Sequence, residues 1–557
     1  MMNRYSSIQI LTAFALCMAM LVSCKKLIDV DAPGVLEEKN MYRNIYDADA
    51  AIIGLYGRFL TLAESYVVLN ELRADLLTTT ANANENLIQL NKHDVKAGNP
   101  YANPKPYYDV ILNCNDLLYN FRQMLNSKTL NQTQYNMRYA DVASLRAWVY
   151  LQLGIHFGNV PYISNHIPSA SSLETLMQSE AATPVPFNVL LDSLITVQES
   201  LAYMDPYAAG TDLVTTVDGY STARFFINKK VMLGELYLWR GKSGDYNKAA
   251  TLLKQVMESG GTGDFFTYRI TGASKGDNND LAVGYLRYNE MDEYSLINSN
   301  SQGWRSIFAR AEDRLFGYEW LWYLPYNTLF QPINPFTKLF TTNFLLKPSQ
   351  QAVDNWNTQV QKNNFPYDAR GPKFSYTMVG NEPQVAKYGY NANTEKWFLY
   401  RAAALHLAFA EAANRDGHRA IANALVNQGI QPTLGNRITD EGGPYLFDAR
   451  KSDNPQIAAD WYLNNGLRGR ANLYTVPITT DSTIAIENMI IDEAGLELAF
   501  EGRRWSDLLR IALRRNDPAF LADKVYEKLR KQNDPSAATV RARLMNKENW
   551  YLPFKWQ

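Results

Sequence analysis

Glu497 and Glu501 stand four residues apart, with Arg503, Arg504 and Asp507 close behind. Two carboxylates one helical turn apart are able to share general-acid and general-base work. The same spacing also serves structure, because Glu–Arg ladders tie a helix to its neighbours. The adjacent arginines favour the structural reading. Histidines 93, 156, 166, 406 and 418 form no His-x-x-x-His pair and Cys-x-x-Cys is absent, so no zinc site is indicated. Ser259-Gly260-Gly261-Thr262-Gly263 lacks the lysine of a phosphate loop and reads as a turn after a helix. Asp277-Asn278-Asn279-Asp280 has oxygens for a cation, but reads as a solvated loop. No cofactor or metal is expected.

A second chemistry is suggested by the 35 Tyr, 23 Phe and 11 Trp, many of them in Asn-, Gly- and Pro-rich stretches. Sugar rings present apolar C–H faces that stack on aromatic rings, and their hydroxyls need amide, carboxylate or guanidinium partners. Two stretches fit that description. One runs from Arg73 to Asn103 and offers Arg73, Asn82, Asn86 and Tyr101; the other runs from Trp304 to Tyr326 and offers Trp304, Tyr318, Trp320 and Trp322. Trp320 and Trp322 alternate as on a strand, which puts both on one face and Leu321 on the other. For each aromatic, packing is an equal alternative to ligand contact.

The elements that must carry these residues are mostly helical. Ala48 to Leu62, Tyr107 to Leu125 and Arg138 to Phe157 have helical periodicity. In the last, Ala140, Ala143, Ala147, Leu151 and Gly154 make a small stripe that admits a close neighbour. Pro184 to Met204 is expected as a helix with proline at its start. Leu233-Gly234-Glu235-Leu236-Tyr237, followed by Gly244 to Ala249 and Leu253, looks like a tetratricopeptide unit with Gly241-Lys242-Ser243 inserted. Phe398 to Asn414 with His418 to Gln428 is a second pair. Such pairs cannot bury their apolar faces alone, so several must stack. Between them, residues 260–395 are loop-rich apart from Gln351 to Gln361. The expected fold is all-α: a tetratricopeptide-like helix-pair superhelix with a loop-rich second lobe packed on it.

The first residues are an address. Arg4 precedes the apolar run Ile10 to Val22, and Leu21-Val22-Ser23-Cys24 ends it. The run is short for a membrane span and has signal-peptide flanks. Its end resembles the lipobox of bacterial lipoproteins, which implies cleavage before Cys24 and lipid on its sulfur. Two or three acyl chains hold a protein firmly at a membrane. After cleavage Cys114 is the one remaining thiol, so no internal disulfide forms. It reads as a small buried residue. With 55 Lys+Arg against 56 Asp+Glu and no basic run, the footprint of a nucleic-acid binder is missing. No second apolar stretch approaches about 20 residues, so a soluble body is expected.

Four segments together resemble the SusD/RagB nutrient-binding outer-membrane lipoproteins. They are Ser23 to Asp29; Ala143-Ser144-Leu145-Arg146-Ala147-Trp148 through Gly158-Asn159-Val160-Pro161; Ala408 to Asn414 with Gly417; and Leu496 to Arg510, which contains Gly502-Arg503-Arg504-Trp505. The resemblance implies a binding protein rather than an enzyme. It implies an outer-membrane, surface-exposed lipoprotein. The expected partner is a TonB-dependent β-barrel transporter of the SusC type, and the expected ligand is a nutrient, often an oligosaccharide. It also implies that the Leu496 to Arg510 segment is structural. The corresponding division is a signal peptide at 1–23, an N-terminal helical region at 24–259, the ligand-binding lobe at 260–395 and a C-terminal helical region at 396–557. A gating lid, a peptide binder and a surface glycosidase are the competing readings.

Overall fold

A computed structural model describes residues 41–555 apart from 169–171, 173, 174, 176–181, 218, 219, 260–306, 309–318, 328–330, 363, 365, 373, 389–394, 436, 437, 440, 441, 448–465, 479 and 481. The N-terminal half holds α1 (Ile45–Phe59), β1 (Leu77–Thr79), α2 (Glu85–Asn91), α3 (Lys105–Asn126) and α4 (Gln132–Phe157). Then come β2 (Val160–Pro161), β3 (Pro184–Val185), α5 (Phe187–Glu199), β4 (Thr216–Val217), β5 (Tyr220–Ser221), α6 (Lys229–Arg240) and α7 (Asp245–Met257). Side-chain caps set several helix starts. Asn44 accepts from Tyr46 and Asp47, and Asn131 makes a reciprocal capping box with Gln134. Pro184 belongs to a strand paired with Val160-Pro161, so the helix expected from it begins only at Phe187, after Pro186.

Next come β6 (Trp320–Pro325), β7 (Leu346–Pro348), α8 (Gln350–Asn357) and the hairpin β8 (Tyr376–Val379)–β9 (Glu382–Val385), within the stretch 260–395 expected as a second lobe, and then β10 (Lys396–Arg401). Strand β10 runs directly into α9 (Ala402–Arg415), so Phe398 is a strand residue and the second helix pair starts four residues later than expected. The chain ends with α10 (Arg419–Val426), α11 (Thr483–Glu497), α12 (Arg504–Arg515), α13 (Pro518–Lys531) and α14 (Ala537–Leu544).

The helices stack serially. Helix α3 packs on α4, α4 on α5, α5 on α6 and α6 on α7; α7 then packs on α9, which pairs with α10 and α11. This is the helix-pair superhelix expected from the repeats. Gly234 shows why a small residue is needed: a Cβ there would sit 3.3 Å from Leu253 Cγ on α7. One large core includes residues from all three regions, from Ala48 through Trp397 to Leu552. The continuous helical run Ile45–Leu72 is long and apolar enough by composition to cross a membrane, contrary to the expectation of no second such stretch. Ile52, Phe59, Val67 and Leu72 are among its residues buried in this core, although Ile53 is exposed.

Antiparallel β6 and β10 divide that core from a smaller one. Tyr400 faces Trp322 but Arg401 faces Trp320, and Phe398 faces Tyr323, so each strand carries one extra residue. These bulges break the period of two. Leu321 and Trp322 both enter the large core, whereas Trp320 joins Tyr323 and Phe398 in the small one. Trp320 and Trp322 therefore do not share a face.

Candidate ligand-binding surface

The carboxylates of the C-terminal motif are locked in a buried ionic network. Helix α11 ends at Glu497, so Glu501 lies beyond it in the turn to α12. Arg470 and Arg401 reach one Glu497 oxygen at 2.6 and 2.9 Å, and Arg370 reaches the other at 2.8 Å. Glu501 accepts from Arg401 and Lys387, both at 2.7 Å. Glu319, Asp368, Glu493 and Arg468 complete the network, all buried. Burial opposes ionisation of Glu497, but Arg470, Arg401 and Arg370 outweigh it and hold the carboxyl well below its ordinary range. For Glu501 burial is likewise outweighed, by Arg401 and Lys387. Groups held ionised by several cations and closed to solvent are poorly suited to proton transfer. The geometry gives them a tying role between β10, α11 and the second lobe.

Arg73, proposed above as a ligand contact, is enclosed. Its guanidinium lies 4.1 Å from the Trp505 ring centre, is 3.3 Å from His156 Nδ1 and donates to the Trp550 carbonyl. Trp320 and Trp322 are fully buried, and their indole N–H groups donate to the carbonyls of Ile307 and Phe225. Trp322 stacks on Phe59 at 5.6 Å. These three side chains are corrected to packing roles, because their polar atoms have internal partners and their faces are covered. Trp304, Tyr318 and Cys24 lie outside the described residues.

Asn82, Asn86 and Tyr101 are placed differently. Strand β1 pairs with β7 in the register Leu77 to Pro348 and Thr79 to Leu346, which brings the loop after β1 to the second lobe. Exposed Asn82 donates to the Asn343 carbonyl at 3.1 Å. Thr80 donates through Oγ1 to the Phe344 carbonyl and through N–H to the Leu345 carbonyl. These bonds hold Phe344, half-buried, at φ 47°, a left-handed conformation that costs an aromatic residue energy. Asn86 is half-buried on α2, where its carbonyl accepts from Asn99 at 3.0 Å. Tyr101 is half-buried and donates to Glu64 at 2.8 Å.

The result is an aromatic side chain in a strained loop beside exposed amides, at the join of two chain regions. That combination suits a sugar ring: one apolar face and several hydroxyl partners. Phe344 and Asn343 were not singled out from sequence, because only the β1–β7 pairing brings them to Asn82. The sequence reading also passed over Gly272-Ala273-Ser274-Lys275-Gly276, which has the spacing of a nucleophile elbow; it lies outside the described residues. Among the described residues, no group of three or more His, Cys, Asp or Glu is placed to hold a metal ion.

Residues 299–555 match the model of the SusD family. No curated protein matches. A SusD superfamily protein from Bacteroides vulgatus superposes with TM-score 0.59 at 13% identity, over 92% of this chain and 96% of that one. A SusD-like carbohydrate binding protein from Bacteroides fragilis gives 0.53 at 14%, over 86% and 88%. Surface glycan-binding protein A from Bacteroides uniformis gives 0.54 at 15%, over 84% and 88%. At these identities the likeness is one of fold.

Proposed function

This chain is a SusD-family protein, and from that premise we propose that it is a lipid-anchored, surface-exposed outer-membrane protein that captures an oligosaccharide. It passes the ligand to a TonB-dependent, SusC-like β-barrel transporter. It acts as a binding protein rather than an enzyme. The observation that carries this reading is the family match across residues 299–555 in a chain whose fold follows glycan-binding and carbohydrate-binding proteins. The surface at Asn82, Asn343 and Phe344 is the proposed contact, with Asn86 and Tyr101 nearby in the chain. Cys24 is the proposed lipid site.

Affinity capture of the tagged full-length chain from solubilised outer membranes tests the partnership. Co-isolation of a TonB-dependent barrel is expected, with labelled fatty acid incorporated into the wild-type chain and not into Cys24→Ala. Recovery without any barrel, or equal fatty-acid labelling of Cys24→Ala, contradicts this reading.

A further inference from the structure

The groove between α4 and α5 offers a second site, away from the Asn82 surface. It has a volume of about 530 Å³ and includes Tyr139, Arg146, Tyr162, Ser164, Ser193 and Thr196 among its lining residues. Arg146 is the unusual member. It is 6% exposed, on a helix whose neighbours are nearly all buried. Its Nη1 donates to Asn115 Oδ1 at 2.6 Å and to the Ser164 carbonyl at 3.1 Å. Those two bonds orient the guanidinium and leave the Nε–Nη2 edge without a hydrogen bond among the described residues. That edge is also absent from the polar atoms sealed away from solvent without a partner. No carboxylate among the described residues pairs with Arg146. Asp192, on the groove wall, is itself held by Arg240 at 3.2 Å and Lys242 at 2.7 Å.

A buried guanidinium without a counter-ion is unfavourable unless a ligand completes it. The open Nε–Nη2 edge matches a planar carboxylate through two parallel hydrogen bonds. Half-buried Tyr139 and Tyr162 offer apolar surface beside it, as does exposed Val189. Ser164, Ser193 and Thr196 offer hydroxyls around the opening. We propose that this groove binds a uronic acid residue of an acidic glycan, its carboxylate on Arg146 and its ring against Tyr139 and Tyr162.

The test is titration of the full-length chain with short oligogalacturonate and oligoglucuronate, beside oligogalactose and oligoglucose as neutral counterparts. Binding of at least one uronate, weakened roughly tenfold or more in Arg146→Met and only partly restored in Arg146→Lys, which keeps the charge but not the paired N–H edge, is expected. Ser193→Trp fills the groove without touching the Arg146 hydrogen bonds, and should also abolish binding; it decides the matter if Arg146→Met fails to fold. Asn82→Ala/Phe344→Ala should leave uronate binding unchanged. The proposal is overturned if neutral counterparts bind the Asn82→Ala/Phe344→Ala chain as tightly as the uronates do, by full uronate binding in Ser193→Trp, by loss of uronate binding in the Asn82/Phe344 variant, or by no uronate binding at all.

Discussion

The carboxylate of Glu71 accepts the backbone N–H of Gly502 at 2.8 Å, joining positions 431 residues apart. It also accepts from Phe500 at 3.1 Å, Arg503 at 3.0 Å and Arg504 at 3.4 Å. These donors lead into and open α12, so Glu71 closes a helix start from across the molecule. Gly502 makes the turn possible. Its φ is +86°, and a Cβ would fall 2.3 Å from the Tyr66 ring.

Glu71→Ala should therefore strip buried N–H groups of their acceptor and lower stability by about 3 kcal/mol or more. Gly502→Ala should cost at least about 2 kcal/mol, from the left-handed backbone and the clash with Tyr66. Urea denaturation followed by far- and near-ultraviolet circular dichroism reads both. Wild-type midpoints would remove Glu71 from this role.

Removing one member of the ionic network should be worse than its surface equivalents. Glu497→Gln leaves Arg370, Arg401 and Arg470 facing an amide in the interior. The expected loss is about 3–5 kcal/mol, with ligand affinity of the folded fraction unchanged. A stable Glu497→Gln chain that had lost a hydrolytic activity would instead make Glu497 catalytic.

Asp141 carries a pH dependence of definite sign. Burial pushes its carboxyl up from 3.8 to about 7, with Lys229 and the Tyr56 hydroxyl offsetting only part. The folded chain then holds a proton that the unfolded chain has released, so this group's contribution to stability falls as pH rises from 3.8 towards 7. Asp141→Asn removes that slope, which is at most about 1.4 kcal/mol per pH unit. Denaturation curves across this range should show the variant gaining on wild type as pH rises. A constant difference would place the Asp141 value near normal.

The two kinds of aromatic should separate cleanly. Trp322→Ala opens the core and should cost about 3–5 kcal/mol. Phe344→Ala keeps the Cβ and the left-handed backbone, and should leave stability within about 1 kcal/mol while weakening ligand binding. Calorimetric unfolding beside ligand titration distinguishes them.

Much of the scaffold was legible in the sequence. The Gly234 and Ala249 pattern marked the α6–α7 pair because close helix approach needs small residues at helical spacing. Pro184 and Phe398 misled for one reason: each lies in a strand just before a helix, where local composition does not reveal the partner strand. The tryptophans of β6 read as a ligand platform because bulges and enclosure depend on β10, many positions away. The ionic network was half visible. Glu497 and Glu501 stood out, but Arg370, Lys387, Arg401 and Arg470 come together only through long-range packing. The Asn82–Phe344 surface was likewise seen from one side only.

Oligosaccharide capture at the Asn82, Asn343 and Phe344 surface is tested by titrating the full-length chain against a glycan panel and a peptide panel, with Asn82→Ala/Phe344→Ala in parallel. Binding to at least one neutral glycan, weakened roughly tenfold or more in the variant, is expected. Peptide binding with silence across the glycans, or glycan binding untouched by the double substitution, would contradict it.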